Sequence, residues 1–112
     1  MDKKLLQGTL SAIILKILEE NGRMYGYQIT RKVEEMTRGE MKVTEGSLYP
    51  ALHKLEAEGL LVSESEKVAN RVRKYYSLNP GGKAAVAEKH DEMQRFITSL
   101  QLIFNPAAKD VS

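Results

Sequence analysis

Apolar residues over positions 5–20 recur at steps of three and four, the spacing that places side chains on one face of a helix. The stripe consists of Leu6, Leu10, Ile13, Ile14, Ile17 and Leu18. Leu5, Ala12 and Leu15 add apolar groups on the other faces, so the pattern predicts a first helix that is buried on more than one side. A small domain rarely offers two burying surfaces to one helix, and we interpret this as a first indication of an oligomer.

Two further helices are predicted before the pattern changes. The segment 25–37 has one apolar face and predicts a second helix, whereas 41–43 predicts one small strand. Thr44 is a favoured N-cap residue, and we expect it to begin a third helix that runs to about Glu58.

After the third helix the apolar period changes from helical to alternating. Segments 60–65 and 71–78 are rich in β-forming residues and are joined by a polar turn at 66–70, which predicts a two-stranded hairpin. Three helices followed by a hairpin and a long helix are typical of a winged helix-turn-helix, so we predict a mainly α fold of the α+β class. The predicted parts are a DNA-binding domain at 1–78, a dimerisation helix at 79–106 and a frayed tail at 107–112.

The fourth helix is predicted to start at Asn79 and Pro80, because asparagine caps helices well and proline suits the first helical position. Its apolar residues include two series spaced seven apart, as in a coiled-coil seam. The predicted dimer contacts on this helix are Met93, Phe96, Ile97, Leu100, Ile103 and Phe104. The complementary surface is predicted on the first helix, at Leu6, Leu10 and Ile14. The alternative is that both faces pack within one chain.

The composition is that of an ordinary globular domain of 112 residues, with 42% hydrophobic residues, 29% charged residues and no cysteine. A disulfide framework is therefore excluded. No apolar run approaches the ~20 residues that cross a bilayer, and polar residues interrupt the stretch after Lys3 and Lys4. We expect a soluble cytoplasmic protein. The net charge of +2, from 17 basic and 15 acidic residues, implies no partner by itself.

Positive charge is nevertheless concentrated in one segment. Between positions 67 and 87 there are five basic residues and no acidic one. Because phosphate neutralisation by lysine and arginine dominates sequence-independent DNA affinity, this segment indicates a contact with DNA. The alternative is a solvated hairpin whose lysines protect an edge strand from pairing.

The third helix is less basic, so its contribution to binding would come from hydroxyl groups and close fit. Serine, threonine and tyrosine commonly contact phosphates and base edges. Gly46 would let the first turn approach DNA closely, and Pro50 would offset that turn slightly. Tyr25 either contacts a phosphate or packs within the domain. The predicted DNA-binding residues are Tyr25, Thr44, Ser47, Tyr49, His53, Lys54, Arg71, Arg73 and Lys74.

With these motifs in hand, the chain resembles the PadR family of bacterial transcriptional regulators. The resemblance is carried by "YGYQI" at 25–29, "GSLYPALHKLEAEGLL" at 46–61 and "RKYYSLNPGGK" at 73–83. It covers about residues 5 to 85, and the single last helix is similar to that of the compact branch of the family. The resemblance implies a winged-helix homodimer that binds operator DNA, usually as a repressor of detoxification or efflux genes.

The resemblance also implies a small aromatic or hydrophobic effector, bound in some relatives at the centre of the dimer. The residues it suggests for that site are Ala12, Leu15, Met93 and Phe96. Some drug-binding relatives stack flat ligands on a tryptophan of the last helix, but this chain has no tryptophan. Phe96 lies in the corresponding region and would offer less stacking area.

No constellation of catalytic residues is present in the sequence. It contains no nucleophile–base set, no glycine-rich phosphate loop and no ligand cluster, and His53 has no second metal ligand nearby. We therefore expect neither an enzyme nor a cofactor. The second hypothesis, from a different class, is a winged-helix module that binds proteins, such as an adaptor or antirepressor, because fold alone does not determine function.

Overall fold

The computed structural model describes residues 3–107 and shows a mainly helical chain with one small antiparallel sheet. The elements within this part of the chain are α1 (Lys3–Gln7), α2 (Leu10–Asn21), β1 (Met24–Tyr25), α3 (Gly26–Met36), α4 (Glu45–Ala57), β2 (Leu61–Val68), β3 (Arg71–Leu78) and α5 (Pro80–Phe104). Apart from residue 107, the predicted frayed tail lies outside the described residues.

The predicted first helix is divided into α1 and α2, which corrects the expectation of one helix over 5–20. Gly8 and Thr9 form the turn between them. The backbone N–H and the hydroxyl of Thr9 both donate to the Leu6 carbonyl oxygen, each at 3.0 Å. These bonds from residue i to residue i−3 end the i to i−4 hydrogen bonding of α1. Gly8 has a low helix propensity and does not favour continuing the helix.

The sheet has a third strand that the sequence pattern did not predict. Strand β1 pairs antiparallel with β3, and the strand order is β1-β3-β2. Because β1 takes Tyr25, α3 begins one residue later than expected, at Gly26. The predicted strand at 41–43 is wrong, since residues 41–44 have no regular structure and Val43 is buried in the core.

The predicted hairpin is confirmed, with a tighter turn than expected. Strands β2 and β3 pair from Leu61 opposite Leu78 to Val68 opposite Arg71. The connection is therefore two residues, Ala69 and Asn70, with φ of 49° and 65°. Positive φ at both positions is typical of the turns whose twist matches that of a hairpin. Residues 66–68, predicted as turn, are the end of β2.

The core lies where α2, α3 and α4 meet the inner face of the sheet. The largest fully buried side chains are Tyr76, Ile14, Leu15, Ile29, Leu48, Leu52, Leu55 and Leu61. Strand alternation brings Tyr76 into this core and leaves the neighbouring Tyr75 on the outer face, half-buried. Helix α5 is capped by Asn79, as predicted, and then extends away from the core, giving the chain a long dimension of 58 Å.

Candidate nucleic-acid interface

The N-terminus of α4 is a capped turn that presents polar groups. The Thr44 hydroxyl oxygen accepts a hydrogen bond from the Ser47 backbone N–H at 3.2 Å, as predicted for an N-cap. The Thr44 hydroxyl donates its proton to Ser47 Oγ at 3.1 Å. Ser47 therefore keeps its own hydroxyl proton for a partner outside the turn. The backbone at Gly46 is open, because a Cβ there would lie 3.9 Å from its nearest neighbour, Thr44 Oγ1.

Helix α4 has one buried edge and one exposed edge. Leu48, Leu52 and Leu55 are at most 1% exposed and fix the helix in the core. His53 and Lys54 lie on the exposed edge, with Ser47 partly exposed at its start. Burial at every third or fourth position therefore orients the polar residues outward. Pro50 lies inside the helix, where it lacks the N–H that would bond the Gly46 carbonyl.

Tyr49 packs within the domain and is also accessible at its edge. Its ring lies against Gly26, the first residue of α3, where an added Cβ would meet Tyr49 Oη at 3.0 Å. Burial, followed by the negative charge of Glu45 and the proximity of Tyr76, raises the pKa of the Tyr49 phenol. The side chain is still 36% exposed. A Cβ at position 26 would therefore require the Tyr49 side chain to shift by a few tenths of an ångström.

The outer face of the sheet carries an interleaved group that we call the Arg–Tyr stack, consisting of Arg23, Tyr25, Arg73 and Tyr75. The two tyrosine rings meet edge to face, with centroids 5.3 Å apart. The Arg23 guanidinium lies 4.0 Å from the Tyr75 centroid, and that of Arg73 lies 4.6 Å from the Tyr25 centroid. Tyr25 is therefore held by packing on this face and remains partly exposed.

The predicted basic residues of the hairpin are distributed over different surfaces. Arg71 lies next to the turn and is exposed, whereas Arg73 takes part in the Arg–Tyr stack. Lys74 faces α4, where its ammonium group lies 3.8 Å from the Glu56 carboxylate. The neighbouring strand β2 also brings acidic residues beside the basic run, including Glu66 opposite Arg73. The positive charge is thus less concentrated in space than in the sequence.

Arg23 was not among the residues predicted from the sequence. Its guanidinium forms an ion pair with Glu66 of β2 at 2.5 Å, and this hydrogen-bonded carboxylate raises the pKa of Arg23 further above its ordinary value. The available signal was its position two residues before Tyr25, the spacing that places side chains on one face of extended backbone. That signal required knowledge that Met24 and Tyr25 form a strand.

Comparison with known protein families gives a match to the PadR-like transcriptional regulators over residues 14–88. The chain belongs to this family. The transcriptional regulator Rv3488 of Mycobacterium tuberculosis is 41% identical over 80 residues, which cover 70% of this chain and 72% of that protein. This confirms the family resemblance predicted from the three sequence motifs.

Solved structures of PadR-like and related regulators share the fold of this chain. A transcriptional regulator from Clostridium thermocellum is similar with a TM-score of 0.78 and 27% identity, covering 90% of this chain and 95% of that one. Bacillus subtilis PadR in complex with operator DNA is similar with a TM-score of 0.64 and 27% identity, covering 71% of this chain and 44% of that one. The predicted winged helix with a long C-terminal helix is thereby confirmed.

The residues predicted for a dimer contact differ greatly in accessibility in this PadR-like chain. On the first helical segment, Leu6, Leu10 and Ile14 are 6%, 4% and 0% exposed because they pack in the core of one chain. On α5, Phe96, Ile97, Leu100, Ile103 and Phe104 are exposed, and Met93 is half-buried. A partner would therefore reach the predicted stripe on α5, but not these α1 and α2 side chains without rearrangement of the core.

The predicted effector residues differ in accessibility within one chain. Leu15 is fully buried, Ala12 and Met93 are half-buried, and Phe96 is exposed on α5. A small cavity of about 180 Å³ lies elsewhere, beside the start of α4, and is lined by Leu6, Gln7, Leu10, Lys42, Val43, Thr44 and Ser47.

Among residues 3–107, no three His, Cys, Asp or Glu side chains are grouped closely enough to hold a metal ion. None of the described helices combines the length and apolar character needed to cross a membrane.

Proposed function

We propose that this PadR-like chain is a sequence-specific DNA-binding transcriptional regulator. The observation that carries the proposal is the exposed edge of α4, where the capped Thr44–Ser47 turn, His53 and Lys54 stand beside a fully buried leucine edge. A helix fixed in this way presents its polar residues in a constant orientation, as reading of the major groove requires. The similarity to Bacillus subtilis PadR in complex with operator DNA supports this role for the fold.

The contacts on α4 follow from the capped turn. Ser47 retains a hydroxyl proton for a phosphate or base acceptor, and the open surface at Gly46 allows the DNA backbone to approach the turn. Tyr49 contributes an accessible edge, and its phenol can donate a hydrogen bond there. Lys54 adds a charge on the same edge of the helix.

The hairpin acts as the wing that follows the DNA backbone. Arg71 is exposed beside the two-residue turn and is the proposed phosphate contact at the tip. Arg73 and Tyr25 lie together at the outer face, where Arg73 retains guanidinium N–H groups for a phosphate. We assign Lys74 a lesser role than Arg71, because it lies 3.8 Å from Glu56 and part of its charge is compensated.

The proposed active form is a homodimer that binds a pseudo-palindromic operator. The exposed apolar stripe on α5 supports it, because contiguous apolar surface of this kind usually marks an interaction site. The 25 residues of α5 span about 37 Å at 1.5 Å per residue. An arm of this length can separate two α4 helices by the ~34 Å between successive major grooves.

The family resemblance extends the proposal to ligand-responsive repression of detoxification or efflux genes. An effector of small aromatic or hydrophobic character would bind between the paired α5 helices, where Met93 and Phe96 lie on the stripe. Such a ligand reduces repression only if it binds the DNA-incompetent arrangement of the dimer more tightly than the DNA-bound one.

Operator binding is tested with the region upstream of the protein's own gene, at several salt concentrations. We expect a specific complex whose log affinity falls linearly with log salt concentration. Arg71→Ala is expected to lower that slope by about two for a dimer, because one phosphate contact is lost from each subunit. The matched control is Lys16→Ala on α2, whose ammonium group pairs with Glu19 and Glu20 and should leave the slope unchanged. Absence of a specific, salt-dependent complex would favour the protein-binding alternative.

A further inference from the structure

Arg23 crosses the outer face of the whole three-stranded sheet. It immediately precedes β1, its guanidinium lies over the Tyr75 ring on β3, and the same group bonds the Glu66 carboxylate on β2. Since the strand order is β1-β3-β2, one side chain connects the outer strand on one side with the outer strand on the other. No other ion pair in the described residues 3–107 spans the sheet in this way.

The Arg–Tyr stack is symmetrical about the pair of strands β1 and β3. Tyr25 and Tyr75 are directly opposite each other in the register. Arg23 precedes Tyr25 by two residues and lies over Tyr75, whereas Arg73 precedes Tyr75 by two and lies over Tyr25. Each arginine thus reaches its diagonal neighbour on the next strand, a distance that long side chains can bridge.

The wing has little other support on this side. Strand β1 pairs with β3 only at Met24–Tyr76 and Tyr25–Tyr75, so the hairpin beyond those pairs is a two-stranded ribbon. Isolated two-stranded ribbons are marginally stable in water. Glu66 lies in this ribbon, opposite Arg73, and Arg23 ties it to β1 across the outer face, whereas Lys74 links the inner face of the hairpin to Glu56 of α4.

We infer that Arg23 is a positioning residue for DNA recognition, one that fixes the wing relative to α3 and α4 without contacting DNA itself. The inference rests on the proposed DNA-binding function. Because Glu66 already compensates its charge, Arg23 should add little to phosphate neutralisation. By restricting the wing before DNA binds, Arg23 lowers the conformational entropy that Arg71 and Arg73 lose on binding, and this raises the affinity.

The chemistry requires arginine rather than any cation. A planar guanidinium can stack on the Tyr75 ring and bond a carboxylate at its edge simultaneously, whereas the compact ammonium of lysine offers one point of charge. Arg23→Lys is therefore expected to behave more like Arg23→Met than like the wild type.

The first measurement is amide hydrogen exchange in the DNA-free protein. In Arg23→Met we expect faster exchange of the ribbon amides at 65–74, by roughly 3- to 10-fold for the loss of an exposed stack and ion pair, and unchanged exchange in α4. Lys16→Met, which removes a surface cation paired with acids on α2, is the matched control and should change neither segment. Unchanged exchange of the ribbon in Arg23→Met would overturn the inference.

The second measurement is operator affinity as a function of salt. Arg23→Met should weaken binding by about 3- to 10-fold with the salt slope of the wild type. A slope lower by about two, or one per subunit of the dimer, would make Arg23 a phosphate contact and overturn the positioning role. If Arg23→Met fails to fold, Glu66→Gln tests the same tie, because it removes only the exposed carboxylate. If the wild type binds no operator, the proposed function fails, and hydrogen exchange still decides whether Arg23 holds the wing.

Discussion

The close packing between the wing and α5 can be tested by replacing Gly82 with alanine and measuring the loss of stability. This glycine lies in the first turn of α5, and a Cβ built on it would fall far inside 3.0 Å of the Leu60 carbonyl oxygen, a backbone atom that cannot rotate away. The same Cβ would lie 3.1 Å from Leu78 Cδ2. Gly82→Ala therefore forces the start of α5 and the start of β2 apart.

The expected loss follows from the hydrogen bonds at this junction. Gly82 N donates to Asn79 Oδ1 at 2.8 Å, Asn79 N donates to Leu60 O at 3.2 Å, and Asn79 Nδ2 donates to Gly59 O at 2.5 Å. At a net ~1 kcal/mol each, their disruption costs about 3 kcal/mol. Alanine's higher helix propensity offsets at most ~1 kcal/mol of that loss. We expect the free energy of unfolding to fall by about 2 kcal/mol, or a melting temperature lower by roughly 8 °C.

The assay is urea denaturation at one fixed protein concentration, since association changes the apparent stability. The matched control is Gly46→Ala, also in the first turn of a helix, where an added Cβ finds no atom closer than 3.9 Å. That variant should be neutral or more stable by up to about 1 kcal/mol. If Gly82→Ala is as stable as Gly46→Ala, the close approach of α5 to the Leu60 backbone is refuted.

Three further outcomes are expected from the interface itself. Gly46→Ala should fold normally yet weaken operator binding about tenfold, because it adds a methyl group where the turn meets DNA; unchanged affinity would place DNA elsewhere. Phe96→Glu combined with Leu100→Glu should give monomers in sedimentation, since the new charges lie on the exposed α5 stripe, and a persisting dimer would contradict that interface. Gly26→Ala should lower the free energy of unfolding by about 1 kcal/mol, and Tyr49→Leu should relieve the clash; strictly additive effects would contradict their contact.

The starts of α4 and α5 and the hairpin were predictable from the sequence, because they depend on residues close together along the chain. Thr44 and Asn79 accept the capping hydrogen bonds expected of them, because N-cap preference depends on groups within three residues. The alternation in β2 and β3 predicted the hairpin, since strand faces repeat every two residues. Together with the family motifs, these local signals were sufficient for the winged helix and its long final helix.

Which residues come together at the site could not be predicted from the sequence, because it depends on contacts between distant parts of the chain. Strand β1 has only two residues, too few to show a period, and exists because Met24 and Tyr25 pair with a strand about fifty residues later. That pairing creates the Arg–Tyr stack and places Arg23 against Glu66. The packing of the sheet on the helices likewise decides that Tyr76 is buried in the core and that Tyr75 lies on the outer face.

For charge and burial too, the sequence determined the order of residue types along the chain, and the tertiary structure determined their partners. The sequence by itself determined that basic residues follow one another in the hairpin and that apolar residues repeat along α5. Tertiary structure alone decided that Lys74 meets Glu56, and that Ile14 is covered whereas Phe96 is exposed. The physical reason is that helix and strand periods arise from bonds between near neighbours, while the partner of a charge or an apolar face is set by which surfaces the fold brings together.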